Sequence, residues 1–104
     1  MVLVRGHPDA VARAICERYT DSASNGERAA ILCAAHRTVN YPGRWTMQIG
    51  ADAEEMASRL FDALRALDRA GATLILAEAV GTEGMGLALM NRLLRAADFD
   101  IKDV

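Results

Sequence analysis

The chain has 104 residues, with 12 basic and 14 acidic side chains and a formal net charge of −2 at pH 7. This length predicts one domain over residues 1–104, and the lack of a basic excess argues against direct binding of nucleic acid. No apolar run reaches the about 18 residues of a membrane helix. We expect no targeting segment, and the two cysteines, Cys16 and Cys33, form no Cys-x-x-Cys pair. A cytoplasmic protein is therefore expected.

The first predicted elements are a strand and a helix. Val2–Val4 is a short apolar run that predicts a buried strand. Pro8 suits the first position of a helix, because its missing N–H would have no partner there, and His7 then becomes the N-cap. The polar stretch Thr20–Gly26 predicts a mobile loop after this helix.

The middle of the chain contains two further predicted strands, Arg28–Cys33 and Trp45–Ile49. The segment between them is irregular, and we interpret the loop His36–Arg44 as an exposed surface for a partner. Tyr41 and Trp45 lie near arginines and could stack on a nucleobase, although a strand Trp that packs against a helix is the more ordinary arrangement.

The clearest helix is predicted from Asp52 to Ala70. Asp52 as N-cap and Glu55 three residues later form a capping-box pattern, and Gly71 follows as a left-handed C-terminal cap. A stripe of apolar residues at helical spacing is predicted to be buried, with Phe61 beside it; its members are Met56, Leu60, Ala63, Leu64 and Leu67.

The stretch from Ala72 to Ala97 predicts a strand, a glycine-rich loop and a helix. Residues 98–104 are expected to fray or to add a partial strand. Strands separated by helices favour right-handed crossovers and a mostly parallel sheet. The predicted fold is therefore a small three-layer, Rossmann-like α/β domain with about four strands and helices on both faces.

Glu78, at the end of the last predicted strand, is the polar residue that most needs an explanation. It could act as a general base, a metal ligand or one half of an ion pair. An unpaired buried carboxylate is very costly, so we expect an arginine to hold it, with Arg92 and Arg65 as candidates. No second acid, His or nucleophile has a clear place beside it, and no catalytic residue is predicted.

The glycine-rich loop holds Gly81, Gly84 and Gly86. Such a loop before a helix can cradle an anion on its backbone N–H groups, but this spacing is neither a dinucleotide fingerprint nor a P-loop. Glu78 and Glu83 flank it and would repel phosphate. Contact with ATP or another nucleotide there stays open, beside a purely structural role for the glycines.

A metal site is not predicted. Cys33 and His36 have the spacing of half a site, but zinc needs three or four ligands. His7 and Cys16 belong to unrelated predicted elements.

Three segments, Leu60–Asp68, Leu74–Glu78 and Gly86–Ala97, together resemble one particular family. Their pattern is close to Leu-Phe-x-x-Leu-Arg-x-Leu-Asp, a strand ending in Glu, and Gly-(Leu/Ile)-Ala-x-Met-Asn-Arg-Leu-x-x-Ala-Ala. This is similar to the carboxy-terminal, Sua-type domain of two-domain threonylcarbamoyl-AMP synthases. The first strand, Gly6 and the first helix also match in placement.

The resemblance implies a part in making threonylcarbamoyl-AMP from threonine, bicarbonate and ATP, which serves the threonylcarbamoyladenosine modification of tRNA. The parent enzyme would be an ATP-dependent nucleotidyltransferase with its catalytic pocket in a YrdC-like domain. An accessory role is therefore implied for this chain, with that domain as partner in cis or trans. The resemblance assigns structural or interdomain contacts, not catalysis, to Glu78, Gly86, Asn91 and Arg92, with Arg65 and Asp68 on the preceding helix.

Two other functions stay open. The chain could be a free-standing nucleotide- or anion-binding module that uses the Gly81–Gly86 loop. It could also be a dimerisation module that forms a homodimer.

Overall fold

The computed structural model describes residues 1–79, 91–93, 95 and 100–104. In chain order its elements are β1 (Val2–Arg5), α1 (Pro8–Ser24), β2 (Ala29–Cys33), a 3₁₀ segment (Ala35–Asn40), β3 (Thr46–Gln48), α2 (Ala53–Arg69), β4 (Leu74–Glu78) and β5 (Ile101–Asp103). Residues 91–93 and 95 are also helical. No helix in these ranges is long and apolar enough to cross a membrane.

The five described strands form one sheet in the order β3-β2-β4-β1-β5, and every pairing is parallel. This confirms the predicted α/β class. The expected number of about four strands becomes five, because the tail expected to fray or add a partial strand pairs with β1, Leu3 lying opposite Ile101. β5 is hard to recognise in the sequence because its residues are half-buried or exposed.

Side chains of the central strands alternate between two hydrophobic clusters, one on each face of the sheet. On one face, Ile31 and Leu76 pack with Ile15 of α1. On the other, Leu32 packs with Leu60 of α2 in a cluster that also contains Leu93. The sheet therefore lies between two helical layers, and its central strands are apolar on both faces, as is typical of parallel sheets.

The ends of α2 are fixed by the local signals that the sequence carries. Asp52 Oδ1 accepts a hydrogen bond from the backbone N–H of Glu55 at 2.8 Å, and Glu55 Oε1 accepts one from the N–H of Ala51 at 2.6 Å. At the other end Gly71 has φ +92°, and the N–H of Ala72 reaches the carbonyl of Leu67 at 3.0 Å. Both predicted caps are confirmed, the second as a Schellman motif.

The buried stripe of α2 agrees with its prediction, while Phe61 beside it remains 49% exposed. Met56, Leu60, Ala63 and Leu67 are buried, and Leu64 is partly buried against the same cluster. The helical spacing therefore identified the buried face of α2.

The helix α1 continues to Ser24, so the prediction of a loop over Thr20–Gly26 is wrong. Within this stretch Thr20 Oγ1 donates to the carbonyl of Cys16 at 3.0 Å, and the buried Ser22 donates to that of Tyr19 at 2.7 Å. Hydroxyl groups that bond back to the preceding turn let polar residues remain helical.

Candidate functional site

A cavity of about 410 Å³ lies at the carboxyl edge of the sheet, where the ends of β1, β2 and β4 meet the starts of α1 and α2. Ligands of open α/β sheets usually bind at this edge. Its polar lining consists of His36, Arg37, Asp52 and Glu78. We call this space the carboxyl-edge cavity.

Glu78 is the last residue of β4, and its side chain is only 7% exposed. Arg37 forms a two-pronged ion pair with it: Nε donates to Oε1 at 3.0 Å and Nη2 donates to Oε2 at 3.0 Å. The hydroxyl of Tyr41 also donates to Oε2. Both carboxylate oxygens are therefore occupied, and Glu78 is held as a buried, paired anion.

An arginine holds Glu78 as expected, but it is neither of the two candidates from the sequence. Arg92 instead donates from Nη1 to the carbonyl of Ala57 at 3.1 Å, and Arg65 pairs with Asp62 on its own helix. Arg37 lies 41 residues before Glu78, so no local spacing could connect the two.

Arg37 joins three elements at this edge. Besides pairing with Glu78 of β4, its Nη2 donates to the carbonyl of Pro8, the first residue of α1, at 3.0 Å. Arg37 itself belongs to the 3₁₀ segment. The hydrogen bond to Glu78 raises the pKa of the guanidinium, against the opposing effect of burial, so Arg37 stays charged.

Tyr41 and Cys33 lie close enough to Glu78 to feel its charge, and both are almost fully buried. Burial, followed by the hydrogen bond and the charge of Glu78, raises the pKa of the Tyr41 hydroxyl. Burial and the charge of Glu78 raise the pKa of the Cys33 thiol to about 12. Neither side chain is therefore an ionised nucleophile or ready metal ligand at neutral pH.

Burial of Tyr41 corrects the idea that it stacks on a nucleobase. Its ring is 2% exposed and belongs to the core cluster on the α1 face. Trp45 is half-buried, and the guanidinium of Arg28 lies 5.5 Å from its ring centroid, a cation–π distance. Val39 of the 3₁₀ segment is 79% exposed, which leaves the proposed partner surface over His36–Arg44 as a prediction.

The remaining predicted site residues belong to residues 81–92 of the chain. Asn91 and Arg92 are exposed. Gly81, Gly84 and Gly86 lie outside the described residues, so the anion cradle stays a prediction. Within the described ranges, no group of three or more His, Cys, Asp or Glu side chains is placed to hold a metal ion.

The parallel five-stranded sheet between two helical layers, with its cavity at the carboxyl edge, defines a three-layer α/β domain. Comparison with known protein families identifies the family to which this domain belongs. Residues 1–98 match the family described as "Threonylcarbamoyl-AMP synthase, C-terminal domain", and the chain belongs to that family.

Relatives with this domain are longer than the chain. It is 36% identical over 101 residues to the threonylcarbamoyl-AMP synthase of Pyrococcus abyssi, and 31% identical over 99 residues to that of Bacillus subtilis. These matches cover 97% and 93% of the chain but only 28% of either relative. The chain therefore spans a little over a quarter of their length.

Solved structures show the same relation. The P. abyssi Sua5 crystal structure complexed with L-threonine matches with a TM-score of 0.87 and 36% identity, over 99% of the chain and 29% of the relative. The C-terminal Sua5 domain from Pyrococcus horikoshii matches with a TM-score of 0.78 and 30% identity, over 99% and 94% respectively. The chain thus corresponds to a domain that has been crystallised separately in one relative.

Proposed function

We propose that this chain is the accessory domain of a threonylcarbamoyl-AMP synthase. In this role it supports a YrdC-like catalytic domain, in cis or in trans, in the cytoplasmic pathway to threonylcarbamoyladenosine in tRNA. The observation that carries the proposal is the family match over residues 1–98, combined with coverage of only 28% of the synthases themselves.

The geometry around Glu78 supports a role without catalysis by this chain. A general base or nucleophile needs a lone pair or an ionised group that can reach a substrate. Glu78 uses both oxygens for Arg37 and Tyr41, while Tyr41 and Cys33 are buried and protonated. The cluster therefore holds β4, the 3₁₀ segment and α1 in place. Exposed Asn91 and Arg92 are proposed as interdomain contacts.

The test is a complementation assay built on the synthase of B. subtilis. Four samples are compared for threonylcarbamoyl-AMP formation from threonine, bicarbonate and ATP: the whole enzyme, the enzyme without its carboxy-terminal domain, the same truncated enzyme fused to this chain, and this chain alone. The chain alone is expected to form no product. The fusion is expected to regain activity that the truncated enzyme lacks.

A matched pair of variants tests the proposed contact surface in the fusion. Asn91→Ala removes an exposed side chain proposed to face the partner, and Arg69→Ala removes an exposed side chain at the far end of α2. Loss of activity in the first variant alone supports the contact. Product formation by the isolated chain, or equal activity of truncated enzyme and fusion, would overturn the accessory role.

A further inference from the structure

The carboxyl-edge cavity has the dimensions of a small-molecule site. Its volume of about 410 Å³ falls within the usual range for ligand pockets, roughly 300–1,000 Å³. Its apolar lining includes Val11, Ala34 and Met56. The lining residues with charge or hydrogen-bonding capacity decide what chemistry the cavity can bind.

Arg37 lines this cavity and retains hydrogen-bonding capacity. Its Nε and Nη2 are committed to Glu78 and Pro8, whereas Nη1 donates to none of the described residues. As far as the described residues go, both N–H groups of Nη1 are therefore available for a carboxylate, the group that a guanidinium pairs with most readily. Glu78 is a poor acceptor for a ligand, because both of its carboxylate oxygens already accept hydrogen bonds.

Asp52 supplies the opposite charge. Its Oδ1 caps α2 through the N–H of Glu55, while Oδ2 accepts from no residue in the described part of the chain. The side chain is exposed and lines the cavity. A ligand with an ammonium group would find a carboxylate oxygen there.

The two helix starts at this cavity are poorly suited to phosphate. Pro8 has no N–H, and the N–H of Asp9 already donates to His7 Nδ1 at 3.2 Å. Acidic residues occupy both first turns, with Asp9 in α1 and Glu54 and Glu55 in α2. Phosphate sites at helix starts rely on open N–H groups without acids nearby. A nucleotide is therefore the less suitable ligand.

We propose that the carboxyl-edge cavity binds a free α-amino acid with a small apolar side chain. Its carboxylate pairs with Arg37 Nη1, its ammonium group pairs with Asp52, and its side chain lies against Val11 and Met56. The net charge of such a ligand is zero, which matches a site that presents one unsatisfied cationic donor and one anionic acceptor.

The test is a titration of the ¹⁵N-labelled chain followed by amide NMR shifts. L-leucine and L-threonine are the probes, with AMP and inorganic phosphate as anionic comparisons. Saturable shifts are expected at His36 and Arg37 with at least one amino acid below about 10 mM, as suits a ligand of this size. N-acetyl-L-leucine and L-leucinamide each lack one charge and are expected to bind at least about tenfold more weakly.

A matched pair of variants assigns the ammonium contact. Asp52→Asn keeps an effective N-cap and removes the charge, so it should weaken binding about tenfold. Glu54→Gln makes the same charge change two residues further along, at a side chain that does not line the cavity, and should leave binding unchanged. The proposal fails if no amino acid gives saturable shifts, if the two variants behave alike, or if AMP or phosphate binds more tightly. The titration uses residues 1–104 by themselves and measures binding, so its result is independent of the complementation assay.

Discussion

Replacing Tyr41 by Phe removes one oxygen atom from the buried cluster around Glu78. Tyr41 is 2% exposed, and its hydroxyl donates to Glu78 Oε2. The Tyr41 side is closed to bulk solvent, so water replaces the lost donor poorly, whereas the ion pair between Glu78 and Arg37 remains. The substitution therefore isolates the contribution of one hydrogen bond to a buried carboxylate.

The expected loss follows from the charge of the acceptor. Hydrogen bonds to charged groups contribute about 1.5–3 kcal/mol to stability, compared with about 0.5–1.5 kcal/mol for neutral pairs. Tyr41→Phe should therefore lower the free energy of unfolding by about 1.5–3 kcal/mol. For a domain of this size, the corresponding decrease in Tm is roughly 6–15 °C.

The chain contains its own matched control. Tyr19 is half-buried, and its hydroxyl accepts a hydrogen bond from the backbone N–H of Trp45 at 3.0 Å, so Tyr19→Phe removes the same atom from a neutral pair. Urea unfolding followed by circular dichroism gives the free energy of each variant, with an unchanged m-value showing that the transition is comparable. If Tyr41→Phe cost no more than Tyr19→Phe, the reasoning about Glu78 would be refuted.

Two further predictions concern the backbone and the buried thiol. Gly6→Ala should lower the free energy of unfolding in urea by about 2 kcal/mol or more, because φ is +143° and a Cβ would collide with the Val104 carbonyl oxygen. Gly26→Ala, with φ +77° and no described atom within 4 Å of the added Cβ, should cost only about 1 kcal/mol. Equal costs would contradict the close approach at Gly6. The pKa of the Cys33 thiol is raised from 9.0 to about 12 in the folded chain. The free energy of unfolding therefore includes a contribution from this thiol that is complete below pH 9 and declines between pH 9 and 12, because the thiol of the unfolded chain loses its proton first. Cys33→Ala should make the decline of the unfolding free energy with pH shallower by up to about 1.4 kcal/mol per pH unit. An unchanged slope would show that burial does not raise the pKa of Cys33.

Sequence patterns identified those features of the fold that depend on nearby residues. The ends of α2 were predictable because Asp52, Glu55 and Gly71 carry their structural signal within four residues of the cap. The end of α1 was not, since Thr20 and Ser22 suggest a loop by composition but bond back into their own helix. Propensity alone cannot decide between these outcomes.

The candidate site was only partly predictable for the same reason. The sequence indicated that Glu78 needs a cation, because burial of an unpaired carboxylate is too costly. It could not indicate Arg37, which comes from a segment without periodicity and reaches Glu78 only after β2 and β4 have paired side by side. Burial of Tyr41 depends on that same long-range pairing, and no local signal distinguishes it from an exposed loop tyrosine.

The ion pair between Arg37 and Glu78 contributes more to the positioning of the elements around it than to stability. A buried pair regains little more than the cost of removing its charges from water, although loss of one partner is strongly destabilising. What Arg37 adds is geometry: it connects the 3₁₀ segment to β4 and to the start of α1. Because the same guanidinium lines the carboxyl-edge cavity, a carboxylate bound at Nη1 would share its charge with Glu78. Ligand binding and the arrangement of these three elements would then be coupled through one side chain.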